Sequence, residues 1–256
     1  MSLYVDEHHG KGKPRLVFLH GFTQTRESWR HVAEMFRSDH DVAIIDLPGH
    51  GDNTSRPRTL DEAGQLVADA SVDSILIGYS MGARIALHAA LQPSSKIAGL
   101  ILIGAHPGIE DQEEQMERRT NDAELAKRIE EIGTAAFLDE WLNQPMFDRV
   151  RHLDHTDRMR NSADGLAYAL RSLGTGSQRV LDAELARIEI PVLVIAGDLD
   201  LKFTKLAERF RPRIKNVTIA AIPDAAHACH LEQPETTREV IASWLDGLGN
   251  GDPKRQ

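Results

Sequence analysis

Six short runs of apolar, often β-branched residues recur along the chain: Arg15–Leu19, Val42–Asp46, Ser74–Gly78, Gly99–Gly104, Pro191–Gly197 and Val217–Ile222. Each is bounded by turn residues. Their near-continuous apolarity predicts strands covered on both faces, as in a parallel sheet lying under helices. Helical spacing fills the gaps, at Trp29–Arg37, Leu60–Ala70, Met81–Leu91, Lys202–Arg211 and Glu235–Leu248. Strand and helix therefore alternate. The expected class is α/β, with a mostly parallel central sheet, helices on both faces and right-handed crossovers.

The rhythm breaks from His106 to about Arg187. That stretch is charged and helix-rich (Gln112–Ile132, Ala135–Asn143, Met159–Leu173), with no clear strand. It is too long for a loop and reads as a helical cap inserted between two strands. An insertion there would cover the edge where open α/β sheets place their ligands. The expected division is a core from 1–105 and 188–248, a cap from 106–187 and a flexible tail from 249–256. With 256 residues and 41% apolar content, the chain can bury such a core. A net charge of −9 argues against a general nucleic-acid surface, while leaving room for a local basic pocket. The single cysteine, Cys229, rules out an internal disulfide and fits a reducing cytosol. Met1–Gly10 is polar, without an apolar run of signal-peptide length. No run approaches the ~20 apolar residues of a membrane helix. The expected location is cytoplasmic, with no membrane insertion.

Gly78-Tyr79-Ser80-Met81-Gly82 reads G-x-S-x-G between a strand and a helix. A serine on such a turn projects its hydroxyl out of the sheet, which makes Ser80 a candidate nucleophile. A reactive serine needs a base, and the base an orienting carboxylate. Two downstream loops offer them. Gly197-Asp198-Leu199-Asp200 follows one strand, and Ala225-Ala226-His227-Ala228-Cys229-His230 follows the next. In a parallel sheet both loops lie on the edge that holds Ser80. Spacing leaves Asp198 beside Asp200, and favours His227 over His230 without excluding the latter. An oxyanion hole needs two backbone N–H groups. Met81, next to Ser80, and Phe22, in Leu19-His20-Gly21-Phe22, are the expected donors. Asp46-Leu47-Pro48-Gly49-His50-Gly51 reads as a turn whose Asp and His brace loops. His8-His9 and His227/His230 lack the carboxylate or thiolate set of a zinc site, so no metal and no cofactor is expected.

These motifs together resemble the α/β-hydrolase superfamily over nearly the whole chain, to which His227-x-x-x-x-Glu232-x-Pro234 also contributes. The resemblance implies the α/β-hydrolase fold with Ser80, Asp200 and His227 as a catalytic triad. Ala226 and Ala83 stand where that family often has glycine. Further motifs are Arg84, Gly104-Ala105-His106-Pro107-Gly108, Glu117-Arg118, Trp141-Leu142-Asn143-Gln144-Pro145-Met146-Phe147 and Gly197-Asp198-Leu199-Asp200-Leu201-Lys202-Phe203. In these the chain is similar to one branch, the 2-succinyl-6-hydroxy-2,4-cyclohexadiene-1-carboxylate synthases of menaquinone biosynthesis. This branch implies a lyase that eliminates pyruvate from a small, multiply carboxylated substrate. It also implies substrate-binding roles for Arg84, Arg118 and Arg160, and suggests them for Trp141 and Tyr79, whose bland readings are packing. The alternatives are an ester or carbon–carbon bond hydrolase using the same triad, and a non-catalytic binding protein.

Overall fold

Seven strands form one sheet in the computed structural model, which describes residues 4–8 and 14–249. They are β1 (Tyr4–His8), β2 (Arg15–Leu19), β3 (Val42–Asp46), β4 (Ser74–Tyr79), β5 (Gly99–Ile103), β6 (Val192–Gly197) and β7 (Val217–Ile222). The spatial order is β1-β3-β2-β4-β5-β6-β7; β1 runs antiparallel to β3 and every other pair is parallel. The sequence reading assigns no strand to β1. Its Tyr-Val-Asp-Glu-His run lacks a continuous apolar stretch. It pairs on one side only, so it needs no two-sided cover.

The apolar runs form strands because alternate residues enter two different cores. Val17, Leu19, Leu76, Leu100, Leu102 and Val194 join a layer with α2 (Leu60–Ala70) and α3 (Met81–Ala90). Phe18, Ile75, Ile77, Ile101, Ile103 and Ile195 join the opposite layer with Trp29, α1 (Arg30–Glu34) and α7 (Pro234–Gly249). Both faces of the central strands are therefore dry, and each fully buried side chain contributes roughly 1.5–3 kcal/mol.

Between β5 and β6 lie α4 (Gln112–Leu142) and α5 (Ala163–Leu173), with no strand among the described residues. The sequence expectation of two helices in the α4 region reflects a real break: Gly133 has φ +78° and ψ 169° inside it. The expected helix Met159–Leu173 is shorter than the sequence suggests. Thr156–Arg160 is a 3₁₀ turn, and α5 starts at Ala163 because Ser162 caps it, its hydroxyl accepting the Gly165 N–H at 3.0 Å. Asn161, between the two, is turned to another use. Its amide donates to the Thr23 carbonyl (2.7 Å), and its oxygen accepts the Gly51 N–H (2.9 Å). Asp157 likewise accepts from the hydroxyls of Thr25 and Ser28. These bonds tie the insertion to the loops after β2 and β3. A small core of Ala126, Ile129, Phe137, Leu166 and Leu170 holds α4 against α5, and Phe22 from the β2 loop packs on it. Residues 250–256 of the expected tail lie outside the described residues, as does His9.

Candidate active site

The C-terminal ends of the parallel strands bring the expected residues to one edge. Ser80 follows β4 and sits at φ 51° and ψ −105°, a conformation that side chains rarely adopt. Its N–H donates to the Ile103 carbonyl at 2.8 Å, which pins the turn to β5. The turn leaves no room on its inner side, since a Cβ on Gly82 would overlap the Leu19 carbonyl oxygen. His227 follows β7, and its Nε2 lies 3.3 Å from the Ser80 hydroxyl. Its Nδ1 lies 2.9 Å from a carboxylate oxygen of Asp200, which follows β6. The Asp200 carboxylate also caps α6 (Leu201–Glu208), accepting the Phe203 N–H at 3.2 Å. Burial alone would raise the Asp200 carboxyl. The hydrogen bond and charge of His227, with the Phe203 N–H and Lys202, hold it below its ordinary value instead.

Both open choices left by spacing are resolved by position. Asp198 is exposed and its N–H pairs with the Ile222 carbonyl, whereas the Asp200 carboxylate reaches His227. His230 is fully buried, with Trp29 and Tyr79 ring centroids each 4.3 Å away and neither ring nitrogen hydrogen-bonded among the described residues. Burial, then the charges of His227 and Arg158, pushes its pKa down to about 3, so it is neutral packing.

Phe22 and Met81 line the same cavity as Ser80, and neither backbone N–H has a carbonyl partner among the described residues. Met81 opens α3, where the helix N-terminus favours negative charge. His20 braces this region from below. Its Nδ1 donates to the Gly21 carbonyl (2.8 Å) and its Nε2 accepts the Leu47 N–H (3.0 Å). Asp46 and His50 also brace: Asp46 accepts the Arg26 N–H at 2.8 Å, and the buried His50 lies edge-on to Phe22.

The cavity holds about 680 Å³, within the range of small-molecule sites. Arg84, from α3, lines it and is buried; its Nη1 donates to the Leu173 carbonyl at 2.7 Å, and it has no carboxylate ion pair among the described residues. Burial, then the charge of Arg118, lowers its pKa to about 10, so it stays charged. Arg118 lines the cavity from α4, with its Nε on Asp122 at 2.9 Å. Trp141 lines it too, stacked on Phe137 and edge-on to Phe22, and its indole N–H has no partner among the described residues.

Two expected substrate contacts lie elsewhere. Arg160 does not line the cavity; it pairs with Asp52 and with Glu27 (3.7 Å), carboxylates on the β3 and β2 loops. Tyr79 lies behind the turn, its ring packed under Gly21 and against His227 and His230, and burial pushes its phenol far above the ordinary value. Sequence reasoning gave no site role to Asp122, Gln144, His106 or Lys202, which line the cavity. The i,i+4 spacing of Arg118 and Asp122 was a usable signal for one of them.

The alpha/beta hydrolase family model matches residues 16–240. The chain belongs to the alpha/beta hydrolase family. A relative from Shigella dysenteriae serotype 1, named 2-succinyl-6-hydroxy-2,4-cyclohexadiene-1-carboxylate synthase, is 33% identical over 257 residues, covering 96% of this chain and 99% of its own. The structure of MenH from S. aureus superposes with a TM-score of 0.89 at 31% identity, covering 97% of this chain and 99% of that one. An esterase from Thermogutta terrifontis, solved with malate bound, shares the fold at 22% identity and a TM-score of 0.74, covering 96% of this chain and 93% of that one. Among the described residues, no helix is long and apolar enough to cross a membrane.

Proposed function

We propose that this protein is a lyase of menaquinone biosynthesis. It converts 2-succinyl-5-enolpyruvyl-6-hydroxy-3-cyclohexene-1-carboxylate into 2-succinyl-6-hydroxy-2,4-cyclohexadiene-1-carboxylate and pyruvate. The observation that carries this reading is the pairing of a serine–histidine–aspartate array with two cavity-lining arginines, one of them without a carboxylate ion pair among the described residues. A neutral ester gives a buried Arg84 nothing to pair with, whereas a tricarboxylate does. Near-full-length similarity to proteins named for this reaction supports it.

Substrate and product differ by defined bonds. The proton on ring carbon 2 leaves, the double bond moves from carbons 3–4 to 2–3 and 4–5, and the carbon 5–oxygen bond breaks. In this reading Ser80, its hydroxyl proton drawn to His227 Nε2, takes the carbon 2 proton. That proton is acidified by the neighbouring succinyl ketone, and Asp200 steadies the imidazolium. Negative charge develops on the ketone oxygen, where the Phe22 and Met81 N–H groups stabilise it. The leaving enolpyruvate picks up the proton and becomes pyruvate. Arg84 and Arg118 hold carboxylates so that carbon 2 faces Ser80. The 3.3 Å Ser80–His227 separation is at the long end of the hydrogen-bond range. The same array suits an acyl-enzyme hydrolase, which is the second reading. Ser80→Ala should abolish pyruvate release, measured with lactate dehydrogenase, while leaving the thermal midpoint intact. Near-normal release would remove Ser80 from the chemistry.

A further inference from the structure

Lys202 stands out once the cavity's charges are paired off. Asp122 is engaged by Arg118 and the Gly176 N–H, and Asp200 by His227 and the Phe203 N–H. Lys202 lines the cavity and has neither hydrogen bond nor ion pair among the described residues. It is the second residue of α6, two residues after Asp200, which caps that helix just beyond β6. The adjacent strand β5, with Ile103 opposite Ile195, leads to His106 at the same edge.

His106 is built as a rigid neutral donor. Its Nδ1 accepts the Gly108 N–H at 3.1 Å, which places the ring proton on Nε2, and Nε2 has no partner among the described residues. Gln178 holds the His106 carbonyl (2.9 Å), the Leu181 N–H holds Pro107 (2.8 Å) and Arg209 holds Gly108 (3.0 Å). The ring lies edge-on to Phe203, which packs on His227 at 4.3 Å between centroids. Burial, then the charges of Arg84, Lys202, Arg209 and Arg118, pushes its pKa down to about 3. Arg118 and Arg209 are paired with Asp122 and Asp182, which leaves Lys202 and Arg84 as the nearby charges that favour an anion here.

We propose that Lys202 and the Nε2–H of His106 form a second anion subsite, on the β5–β6 side of Ser80. It takes one carboxylate of a di- or tricarboxylate while Arg84 and Arg118 hold another. The subsite deepens the lyase reading and rests on it for the identity of the substrate, but not for its own existence. Lys202 and Arg84, two cations from different elements of one cavity with no ion pair among the described residues, select a ligand with two separated negative groups. A single carboxylate leaves one of them unpaired.

The test is calorimetric binding of 4-(2-carboxyphenyl)-4-oxobutanoate, a non-reacting aromatic dicarboxylate, and of its two monomethyl esters. Wild type should bind the diacid at least about tenfold more tightly than either ester. Lys202→Met should cost the diacid roughly 10- to 50-fold and one monoester less than about twofold, with Lys202→Arg recovering most of the loss. His106→Leu should lose roughly tenfold, and His106→Gln, whose amide reproduces the Nε2 donor, should retain affinity within about fivefold. With the turnover substrate, Lys202→Met should raise KM and leave kcat within about threefold. Equal losses for the diacid and both esters, no loss at all, or no preference for the diacid in wild type would each overturn the subsite. Intact diacid preference without pyruvate release would instead overturn the reaction assigned above.

Discussion

Arg84→Met separates a binding role for the cavity's buried cation from a structural one, because the two predict opposite signs for stability. Arg84 is 6% exposed, and among the described residues its side chain hydrogen-bonds only the Leu173 carbonyl. Its pKa falls from 12.5 to about 10, so keeping it charged in the folded protein costs on the order of 3 kcal/mol. Both folded and unfolded forms are protonated at pH 7, so this cost is constant there. Methionine fills similar space without the charge. It relieves that cost and loses one charge-assisted hydrogen bond of roughly 1.5–3 kcal/mol. The net change in stability is therefore between zero and about 2 kcal/mol in favour of the variant, a rise of at most about 8 °C in Tm. Activity should move the other way. Losing a buried pair with a substrate carboxylate costs about 2–4 kcal/mol, or roughly 30- to 700-fold in kcat/KM. Arg84→Lys should recover little, because a point charge cannot reproduce two parallel hydrogen bonds. The assays are differential scanning calorimetry and coupled pyruvate release. A drop of several degrees in Tm with a parallel loss of activity would refute the reasoning, as would unchanged kcat/KM.

Other perturbations follow from the same geometry. Asp200→Asn should lower kcat by about 10³- to 10⁴-fold with a small change in KM, since His227 loses the group that orients it; a loss below tenfold would contradict that role. The depressed Asp200 carboxyl contributes stability that is present above its unfolded value near 4 and lost as pH falls through the folded one. Gly82→Ala should destabilise by roughly 3 kcal/mol or more, because the new Cβ meets the immovable Leu19 carbonyl; urea unfolding within about 0.5 kcal/mol of wild type would show that the turn can relax. His230→Phe tests the buried neutral histidine. Its folded pKa is about 3, below the unfolded value near 6.5. The unfolded state therefore binds the proton first, and this histidine alone lowers stability by up to about 1.4 kcal/mol per pH unit well below pH 6.5. The variant should lose that slope between pH 6 and pH 5 and match or exceed wild-type stability at pH 7. A Tm–pH slope equal to wild type would place His230 in contact with solvent.

Much of the fold is legible because two-sided burial writes itself as continuous apolar runs. β2 to β7 follow those runs closely. β1 does not, because a strand paired on one side carries no such signature. The turn at Ser80 is legible because its constraint is local: two glycines within two residues of the serine. The choice of Asp200 over Asp198, and of His227 over His230, depends on which side chains face each other across β6 and β7. Spacing alone cannot encode that. Arg160 shows where local reading fails. Its partner Asp52 lies 108 residues away, and an arginine on a charged segment looks the same whether it faces a ligand or a carboxylate on another loop. The late start of the helix expected from Met159 has a similar origin. Asn161 leaves helical geometry to bind Thr23 and Gly51, and neither is near it in sequence.

The central claim is that Ser80, His227 and Asp200 serve proton removal on a multiply charged substrate rather than acyl transfer. The most direct measurement sets pyruvate release from 2-succinyl-5-enolpyruvyl-6-hydroxy-3-cyclohexene-1-carboxylate beside hydrolysis of p-nitrophenyl esters by the same wild-type preparation. Pyruvate release should proceed with kcat/KM at least about 10³-fold higher, with both activities lost in Ser80→Ala. Rapid ester hydrolysis with a burst of p-nitrophenol and no pyruvate from the precursor would contradict it.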